Sequence, residues 1–156
     1  MSEELELERT YLLTKIPKGL KNCKFIEIID LYIPASKAHP VMRIRKKGDK
    51  LELTKKIPNN NDASNQTEHT IPLSKEEYNA LLKVSGKKLR KLRYYFPVGI
   101  KVAEIDVFQD DLAGLIVVDF EFTSLKEKDK FSAPDFCSED ITQEEFIAGG
   151  YLAGKT

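Results

Sequence analysis

The chain has 156 residues, with 25 lysines and arginines against 25 aspartates and glutamates, so its formal net charge at pH 7 is zero. This length predicts one domain, residues 1–156, and the neutral charge argues against a protein that wraps nucleic acid or lies on an anionic membrane. Hydrophobic residues make up 41% and no apolar run approaches the roughly 20 residues that cross a bilayer. The acidic amino terminus and the isolated Cys23 and Cys137 predict a cytoplasmic protein without a disulfide framework or structural zinc.

Most of the chain predicts β-strands separated by turns. Segments rich in Ile, Val, Leu, Tyr, Phe and Thr lie near 4–13, 24–33, 40–47, 50–57, 66–72, 89–97, 100–108 and 114–122. A tight hairpin is predicted at 47–50, a turn at 97–99 and a mobile polar hairpin tip at 59–66. Capping-box sequences at 74–77 and 142–145 predict two helices, the second ended early by Gly149 and Gly150. The pattern favours an α+β fold, mainly antiparallel, as a barrel or a sandwich.

Apolar and charged side chains alternate along these strands. Residues two apart on a strand share a face, and charge pairs of one sign recur at that spacing on five strands. The pairs are Glu6/Glu8, Arg43/Arg45, Lys91/Arg93, Glu104/Asp106 and Asp119/Glu121. Such faces are usually exposed to water, but a solvating surface normally mixes both signs. The separation of acidic and basic pairs onto different strands therefore argues that these side chains share one site.

A closed barrel with these faces inward, and helices over its outer surface, would have a lumen of both signs. Its acids would be Glu6, Glu8, Glu52, Glu68, Glu104, Asp106, Asp119 and Glu121, and its bases Arg43, Arg45, Lys56, Lys91 and Arg93. This lumen must be wet, because each unpaired buried charge costs several kcal/mol. Arginine and lysine bind phosphate oxygens, and clustered carboxylates bind a hard divalent cation such as Mg²⁺. The pattern predicts a site for a polyphosphate–metal complex.

The ordered series of motifs also resembles the CYTH domain, the triphosphate tunnel metalloenzyme superfamily. The resemblance covers nearly the whole chain and is specific as a series rather than in any single piece. It runs through Glu6-Leu7-Glu8-Arg9-Thr10, Arg43-Ile44-Arg45, Thr54-Lys55-Lys56, Lys91-Leu92-Arg93-Tyr94, Glu104-Ile105-Asp106-Val107-Phe108 and Ala113 to Glu121.

This resemblance implies an eight-stranded closed β-barrel, a tunnel with a few flanking helices, that hydrolyses or cyclises triphosphates with Mg²⁺ or Mn²⁺. It implies metal ligands at Glu6, Glu8, Asp119 and Glu121, and phosphate ligands at Arg43, Arg45, Lys56, Lys91 and Arg93. Glu68 is expected to serve a second metal or the attacking water. Tyr32 resembles a tyrosine near the reacting phosphate, although a core or rim tyrosine fits equally. Glu52, Glu104 and Asp106 are further tunnel acids, and residues 134–156 resemble a segment expected at one tunnel mouth.

Three positions depart from the family pattern. Thr10 replaces a lysine, and the missing charge-assisted contact is worth about 1.5–3 kcal/mol. The motif around Glu68 continues as His69-Thr70, where His69 faces outward by parity, and Asp119 replaces a longer glutamate. His39 receives no role.

The sequence therefore predicts a metal-dependent hydrolase acting on tripolyphosphate or an organic triphosphate. A noncatalytic module that binds polyphosphate or nucleotides is an alternative, and so is an adenylyl cyclase, although residues 59–66 offer no evident adenine pocket. Nucleic-acid binding by the basic run 87–93 is disfavoured, because alternate side chains of a strand face apart. The oligomeric state does not follow from the sequence.

Overall fold

The computed structural model describes residues 2–154, and within them eight strands and a few short helices are formed. The strands are β1 (Ser2–Leu12), β2 (Phe25–Ile33), β3 (Met42–Lys47), β4 (Lys50–Asn59), β5 (Asp62–Pro72), β6 (Lys87–Val98), β7 (Lys101–Phe108) and β8 (Ile116–Phe122). The α-helices are α1 (Lys75–Leu81), α2 (Leu125–Lys130) and α3 (Gly149–Leu152), with 3-10 turns at Leu20–Asn22, Asp110–Leu112 and Glu145–Ile147. The longest of these α-helices, α1, has 7 residues, so no helix between residues 2 and 154 is long enough to cross a membrane.

The described strands pair antiparallel and close into one barrel. Their order is β1-β5-β4-β3-β2-β6-β7-β8, and β8 pairs back with β1. The predicted hairpin between β3 and β4 is formed, with Lys47 opposite Lys50. The expectation of a mainly antiparallel, eight-stranded closed barrel is confirmed, and the sandwich is excluded.

The apolar surface of the barrel is its outer surface. Ile105, Val118 and Phe120 point away from the lumen and are completely buried. The chain after α2 covers them, and the ring of Phe131 lies 4.7 Å from that of Phe120. Since neighbouring residues on a strand face opposite ways, burial of this surface directs the charged residues between them into the lumen.

A second apolar cluster lies beneath α1. Leu31 of β2 and Ile44 of β3 are buried against Tyr78 of the helix. The predicted capping box is present: the Ser74 hydroxyl accepts from the Glu77 backbone N–H at 3.1 Å, and the Glu77 carboxylate accepts from the Ser74 N–H at 2.8 Å. The expectation that helices cover the outer surface is only partly met, because extended chain covers the surface of β1, β7 and β8.

The C-terminal segment, residues 138–153, completes the barrel wall beside β1. β5 pairs with only the first half of β1. Along the second half, the Leu12 N–H donates to the Glu139 carbonyl and the Ile141 N–H donates to the Thr10 carbonyl, each at 2.8 Å. The segment thus satisfies backbone groups that β5 leaves unpaired.

The same segment then crosses one end of the barrel. Its Ile141 and Leu152 pack with Tyr32, Phe108 and Val117 into a buried apolar cluster. These three partners belong to β2, β7 and β8. The apolar cluster blocks this end of the lumen.

The second predicted helix is wrong. Residues 142–144 form a turn, and the glycines expected to end the helix begin α3 instead. The reason is that the Thr142 hydroxyl is engaged elsewhere: it bonds to the Asp140 carboxylate at 2.5 Å and accepts from the Thr10 N–H at 3.0 Å. The hydroxyl holds the segment on the barrel rather than capping a helix.

The polar hairpin tip is also shorter than predicted. β4 extends to Asn59 and β5 begins at Asp62, leaving only Asn60 and Asn61 between them, both with positive φ. The Asp62 carboxylate accepts hydrogen bonds from the backbone and hydroxyl of Ser64 at 2.9 and 2.7 Å. These local bonds order residues that composition alone assigns to a loop.

Gly150→Ala is expected to loosen the C-terminal segment. A Cβ at Gly150 would lie 1.9 Å from the carbonyl oxygen of Pro40, a backbone atom that cannot move aside cheaply. Although alanine favours helices, this overlap should dominate and lower the free energy of unfolding by about 1–3 kcal/mol. Thermal unfolding measures the change. Phe146→Ala, which truncates an exposed side chain of the same segment, is the control and should stay within about 0.5 kcal/mol of wild type. Equal stability of the Gly150 variant and wild type would contradict the close packing.

Candidate functional site

A cavity of about 620 Å³ occupies the lumen of the barrel. Its volume lies within the range of small-molecule sites. Every residue proposed for the lumen from strand parity lines it: Glu6, Glu8, Glu52, Glu68, Glu104, Asp106, Asp119, Glu121, Arg43, Arg45, Lys56, Lys91 and Arg93. The structure therefore brings the predicted residues together, while their individual roles stay predictions.

One side of this cavity is a basic wall, made of Arg43 and Arg45 on β3 with Lys91 and Arg93 on β6. Except for Arg43, these side chains are almost fully buried. Burial lowers the pKa of Lys91 in spite of the adjacent Asp106, and the nearby arginines add to the decrease. Such concentrated positive charge favours an anionic ligand.

Two buried aspartates lie behind the basic wall. Asp30 accepts from Arg45 Nε at 2.6 Å and Nη2 at 2.8 Å, and Asp106 accepts from Arg93 Nε at 2.8 Å and Nη2 at 2.9 Å. Lys91 Nζ also lies 2.7 Å from Asp106. Burial alone would raise the pKa of Asp106, but the two cations outweigh it and hold that pKa well below its ordinary value. Asp106 is therefore an ionised partner of the basic wall.

Across the cavity lies an acidic wall, made of Glu6 and Glu8 on β1, Glu68 on β5, and Asp119 and Glu121 on β8. Burial raises the pKa of Glu8 to about 7, with Lys56 opposing the increase and Asp119 and Glu6 adding to it. Burial and neighbouring carboxylates likewise raise the pKa values of Asp119, Glu68 and Glu121. A positive ligand would relieve this repulsion.

Lys56 is the cation that contacts the acidic wall. Its Nζ lies 2.6 Å from Glu6 Oε2 and 3.3 Å from Glu8 Oε1. Burial alone would lower the pKa of Lys56, but Glu8 and Glu6 outweigh it and raise the pKa above its ordinary value. The ammonium group therefore stays charged between the two carboxylates.

Thr10, which stands where the resembling motif has a lysine, forms a short hydrogen bond with Asp119. Its hydroxyl donates to Asp119 Oδ1. A hydroxyl satisfies one carboxylate oxygen but adds no charge, so the acidic wall has one positive charge fewer than the family motif would supply.

Tyr32 belongs to the blocked end of the barrel. Its ring packs in the apolar cluster with Leu89 and Phe108, and its hydroxyl lies against Gly149. Burial, followed by Asp30, raises the pKa of the phenol. The packing supports the core alternative for this tyrosine at least as well as a catalytic role.

Sequence reasoning missed several residues of the site. Asp30 has the inward parity of Tyr32, but its neighbours two residues away on the strand, Ile28 and Tyr32, carry no charge, so it forms no charge pair. Lys47 lines the cavity because it continues the spacing of Arg43 and Arg45. Gln66 lies two residues before Glu68, and its Nε2 donates to Glu8 Oε1 at 3.0 Å.

The C-terminal segment also contributes to the cavity, which sequence reasoning did not specify. His39 Nδ1 lies 3.0 Å from Glu145 Oε1, and both residues line the cavity. Gln143 accepts from the Ala63 backbone N–H at 3.0 Å and donates to Asp62 at 2.7 Å. These contacts fasten the segment to the barrel near the cavity.

The donor chemistry of the acidic wall fits a hard divalent cation, which prefers carboxylate oxygens. Within residues 2–154, no three acidic, histidine or cysteine side chains already converge on one metal position. Lys56 occupies the space between Glu6 and Glu8. A cation at those carboxylates would therefore require Lys56 to move.

The barrel interior has clustered carboxylates facing buried cations, an arrangement with the charges to accept an anion and a cation together. The CYTH domain family matches residues 4–131, which extend from β1 through α2, and the chain belongs to this family. The resemblance inferred from the motifs is confirmed.

Similar proteins include triphosphatases. The inorganic triphosphatase of Nitrosomonas europaea is 24% identical over 151 residues, covering 95% of this chain and 96% of that protein. The crystal structure of an inorganic triphosphatase superposes with a TM-score of 0.69 at 22% identity, over 97% of this chain and 95% of the other. The structure of a Bacillus halodurans protein provisionally named an adenylate cyclase superposes with a TM-score of 0.60 at 20% identity, over 92% of this chain and 99% of the other. At such identities the structural likenesses show the fold alone.

Asp106→Asn is expected to destabilise the protein and to flatten its acid unfolding. Removing one partner of a buried ion pair costs about 3–5 kcal/mol at pH 7. Because the folded-state pKa of Asp106 is depressed, its stabilising contribution is complete above the unfolded-state pKa of about 3.9 and is lost as the pH falls toward the folded-state pKa. Urea unfolding from pH 7 to pH 2 should show a smaller fall in the variant than in wild type.

The control for this experiment is Asp129→Asn. Asp129 is an exposed aspartate, 3.9 Å from Lys128 and outside the cavity. This change should leave the free energy of unfolding within about 0.5 kcal/mol of wild type, as for most surface substitutions. A similar small effect of Asp106→Asn would contradict a buried ion-pair role for Asp106.

Proposed function

We propose that this protein hydrolyses inorganic tripolyphosphate in its lumen with the help of Mg²⁺ or Mn²⁺. The observation that supports this most directly is the acidic wall facing the basic wall within one closed barrel. A phosphate chain needs cations along its oxygens, and its metal ion needs carboxylates. The two walls offer both within one cavity.

The basic wall is suited to the phosphate chain. Arg43 Nε is buried and has no hydrogen-bond partner among the described residues. A buried donor without an acceptor costs about 1–3 kcal/mol, so an incoming phosphate oxygen would remove that penalty. Arg45, Lys91 and Arg93 are held nearby by Asp30 and Asp106, which limits the reorganisation on binding.

The acidic wall is suited to the metal ion. Glu6, Glu8, Asp119 and Glu121 would hold it. When bound, the ion would neutralise charge on the phosphate oxygens and lower the pKa of a coordinated water. Gln66 Nε2 orients Glu8 by donating to its Oε1 at 3.0 Å.

In this proposal Glu68 would orient the attacking water. Its Oε1 accepts from the Thr70 hydroxyl at 2.8 Å, which fixes the carboxylate, and it lines the cavity beside Glu6. In the proposed reaction a water oxygen bonds to a terminal phosphorus as the bridging P–O bond breaks. The water's proton goes to a carboxylate, and the leaving diphosphate takes the electron pair of the broken bond.

The blocked end of the lumen favours a short inorganic chain over a nucleotide. Phe108, Val117, Ile141 and Leu152 fill that end with one another. A base and ribose would have to displace this packing or remain outside the barrel. This supports tripolyphosphate as the substrate and weakens the adenylyl cyclase alternative.

Phosphate release from tripolyphosphate with Mg²⁺ or Mn²⁺ tests the proposal. Wild type should turn over, whereas Glu8→Ala and Arg45→Ala should each reduce kcat/KM by roughly 100-fold or more, because the first removes a proposed metal ligand and the second a proposed phosphate contact. Arg90→Ala is the matched control, because Arg90 pairs with Glu27 and Asp110 on the outer surface and should leave the rate unchanged.

Three other results would contradict the proposed hydrolysis, and each indicates a different alternative. If wild type binds tripolyphosphate but releases phosphate no faster than the Glu8 and Arg45 variants, the protein is a polyphosphate-binding module. Cyclic AMP formed from ATP would identify a cyclase. If no phosphate compound raises the melting temperature, the lumen is not a phosphate site.

Lys56→Met is expected to strengthen metal binding in the absence of substrate. Lys56 competes with a cation for Glu6 and Glu8, and removing a charge-assisted contact of about 1.5–3 kcal/mol should tighten Mn²⁺ binding by roughly tenfold or more. Calorimetric titration with Mn²⁺ measures the change. Lys101→Met, which removes the ion pair with Glu127 outside the cavity, is the control and should bind Mn²⁺ like wild type. Weaker Mn²⁺ binding by the Lys56 variant would contradict competition at these carboxylates.

A further inference from the structure

Asp30 is completely buried at the centre of β2. Its strand position places it directly opposite Arg45 of β3, and each of its carboxylate oxygens accepts one hydrogen bond from that guanidinium, at 2.6 and 2.8 Å. The carboxylate has no exposed surface and does not line the cavity. It therefore does not contact a ligand in the lumen, and its two hydrogen bonds connect it to the lumen through Arg45.

The same arrangement occurs a second time, on different strands. Asp106 of β7 lies directly opposite Arg93 of β6 and is bonded to its Nε and Nη2 atoms at 2.8 and 2.9 Å. In both pairs the aspartate occupies the same edge of the guanidinium and leaves the Nη1 atom outside the pair. Arg93 Nη1 lies 3.6 Å from Glu104, which lines the cavity. Because both aspartates bind their arginines by the same Nε–Nη2 edge, we infer that the two pairs have the same role.

Stability alone does not explain these pairs. Replacing a buried ion pair with apolar side chains of similar volume is often neutral or stabilising. What a bidentate pair supplies is direction, because the planar guanidinium is fixed along one edge while its remaining N–H groups stay in a defined plane. Arg43, whose buried Nε has no partner among the described residues, shows the contrasting case of an arginine not held in this way.

We propose that Asp30 is a positioning residue: it holds Arg45 by its Nε–Nη2 edge and so directs the remaining N–H groups of this arginine at phosphate oxygens in the lumen. This inference rests on the proposed function, since it requires that Arg45 contact a phosphate. Asp30 stays outside the reaction itself. Its effect on the ligand is indirect and should vanish when Arg45 is absent.

A double-mutant cycle tests this dependence. The proteins are wild type, Asp30→Asn, Arg45→Gln and the double variant, each titrated calorimetrically with tripolyphosphate well below its melting temperature. Asp30→Asn should weaken binding by roughly tenfold in the wild-type background, as for one misdirected charge-assisted hydrogen bond. In the Arg45→Gln background the same change should alter the dissociation constant by less than about twofold, because the two residues act as one unit.

The outcomes separate the inference from the proposed function. If wild type binds tripolyphosphate and Asp30→Asn binds equally well, or loses the same factor in both backgrounds, Asp30 is not a positioning residue although the proposed function stands. If wild type binds tripolyphosphate neither alone nor with Mg²⁺ or Mn²⁺, the proposed function fails and the inference fails with it. A loss confined to the background that retains Arg45 supports both.

Two further variants keep the test decisive. If Asp30→Asn does not fold, Asp30→Glu retains the charge and moves the carboxylate by one methylene, so that weaker tripolyphosphate binding supports the inference and unchanged binding overturns it. Glu27→Gln is the matched control on the same strand. It removes one surface partner of Arg90, 3.1 Å away, and should leave the tripolyphosphate affinity unchanged.

Discussion

The structure depends on mutual neutralisation of charges that a closed barrel removes from water. A single buried charge is strongly unfavourable, and the described lumen contains more than a dozen ionisable side chains. On the basic side, Asp30 and Asp106 each hold an arginine through two hydrogen bonds. On the acidic side, Lys56 lies between Glu6 and Glu8. The two sides are neutralised differently: the basic side by buried bidentate pairs, and the acidic side by the contacts of a single lysine with two carboxylates.

The inward charges are possible because the apolar core lies outside the barrel. Ile105, Val118 and Phe120 are fully buried on the outer surface, and the chain after α2 covers them. The strand pleat then leaves the neighbouring charged positions no direction but inward. The C-terminal segment adds a second constraint, because it both completes the wall beside β1 and blocks one end of the lumen. The apolar residues that stabilise the fold and the charged residues that line the lumen thus lie on opposite faces of the same strands.

This separation explains what the sequence could predict. Pairs such as Arg43/Arg45 and Glu6/Glu8 repeat with the strand period, so parity alone placed them on one face. Asp30 has no such partner in its own strand, and its importance arises only from the register that sets it opposite Arg45. Strand periodicity excludes shifts of one residue, but which of the remaining registers is adopted depends on the partner strand and the connection between the two strands.

The C-terminal segment illustrates a second limit of the sequence. Gly149 and Gly150 have the composition of a helix stop, yet α3 begins there. The structure shows a different requirement, since a Cβ at either position would overlap Tyr32 or Pro40. The side-chain hydroxyl of Thr142 likewise matches a helix cap in sequence but bonds to β1. Local propensity was outweighed in each case by a contact with residues about 100 positions earlier in the chain.

Thr10 connects the charge balance with the proposed function. A lysine there would have added a second cation to the acidic wall, whereas the threonine hydroxyl donates to Asp119 without neutralising it. Lys56 then lies directly against two of the five carboxylates of this wall, several of which have pKa values raised by burial and mutual repulsion. A bare polyphosphate entering the lumen would meet attraction from one wall and repulsion from the other. A polyphosphate that arrives with its metal ion presents each wall with the opposite charge, and its phosphates also offer Lys56 a new partner when the metal takes Glu6 and Glu8. If the lumen binds polyphosphate as proposed, the absence of this lysine would make binding of the anion more dependent on the metal ion.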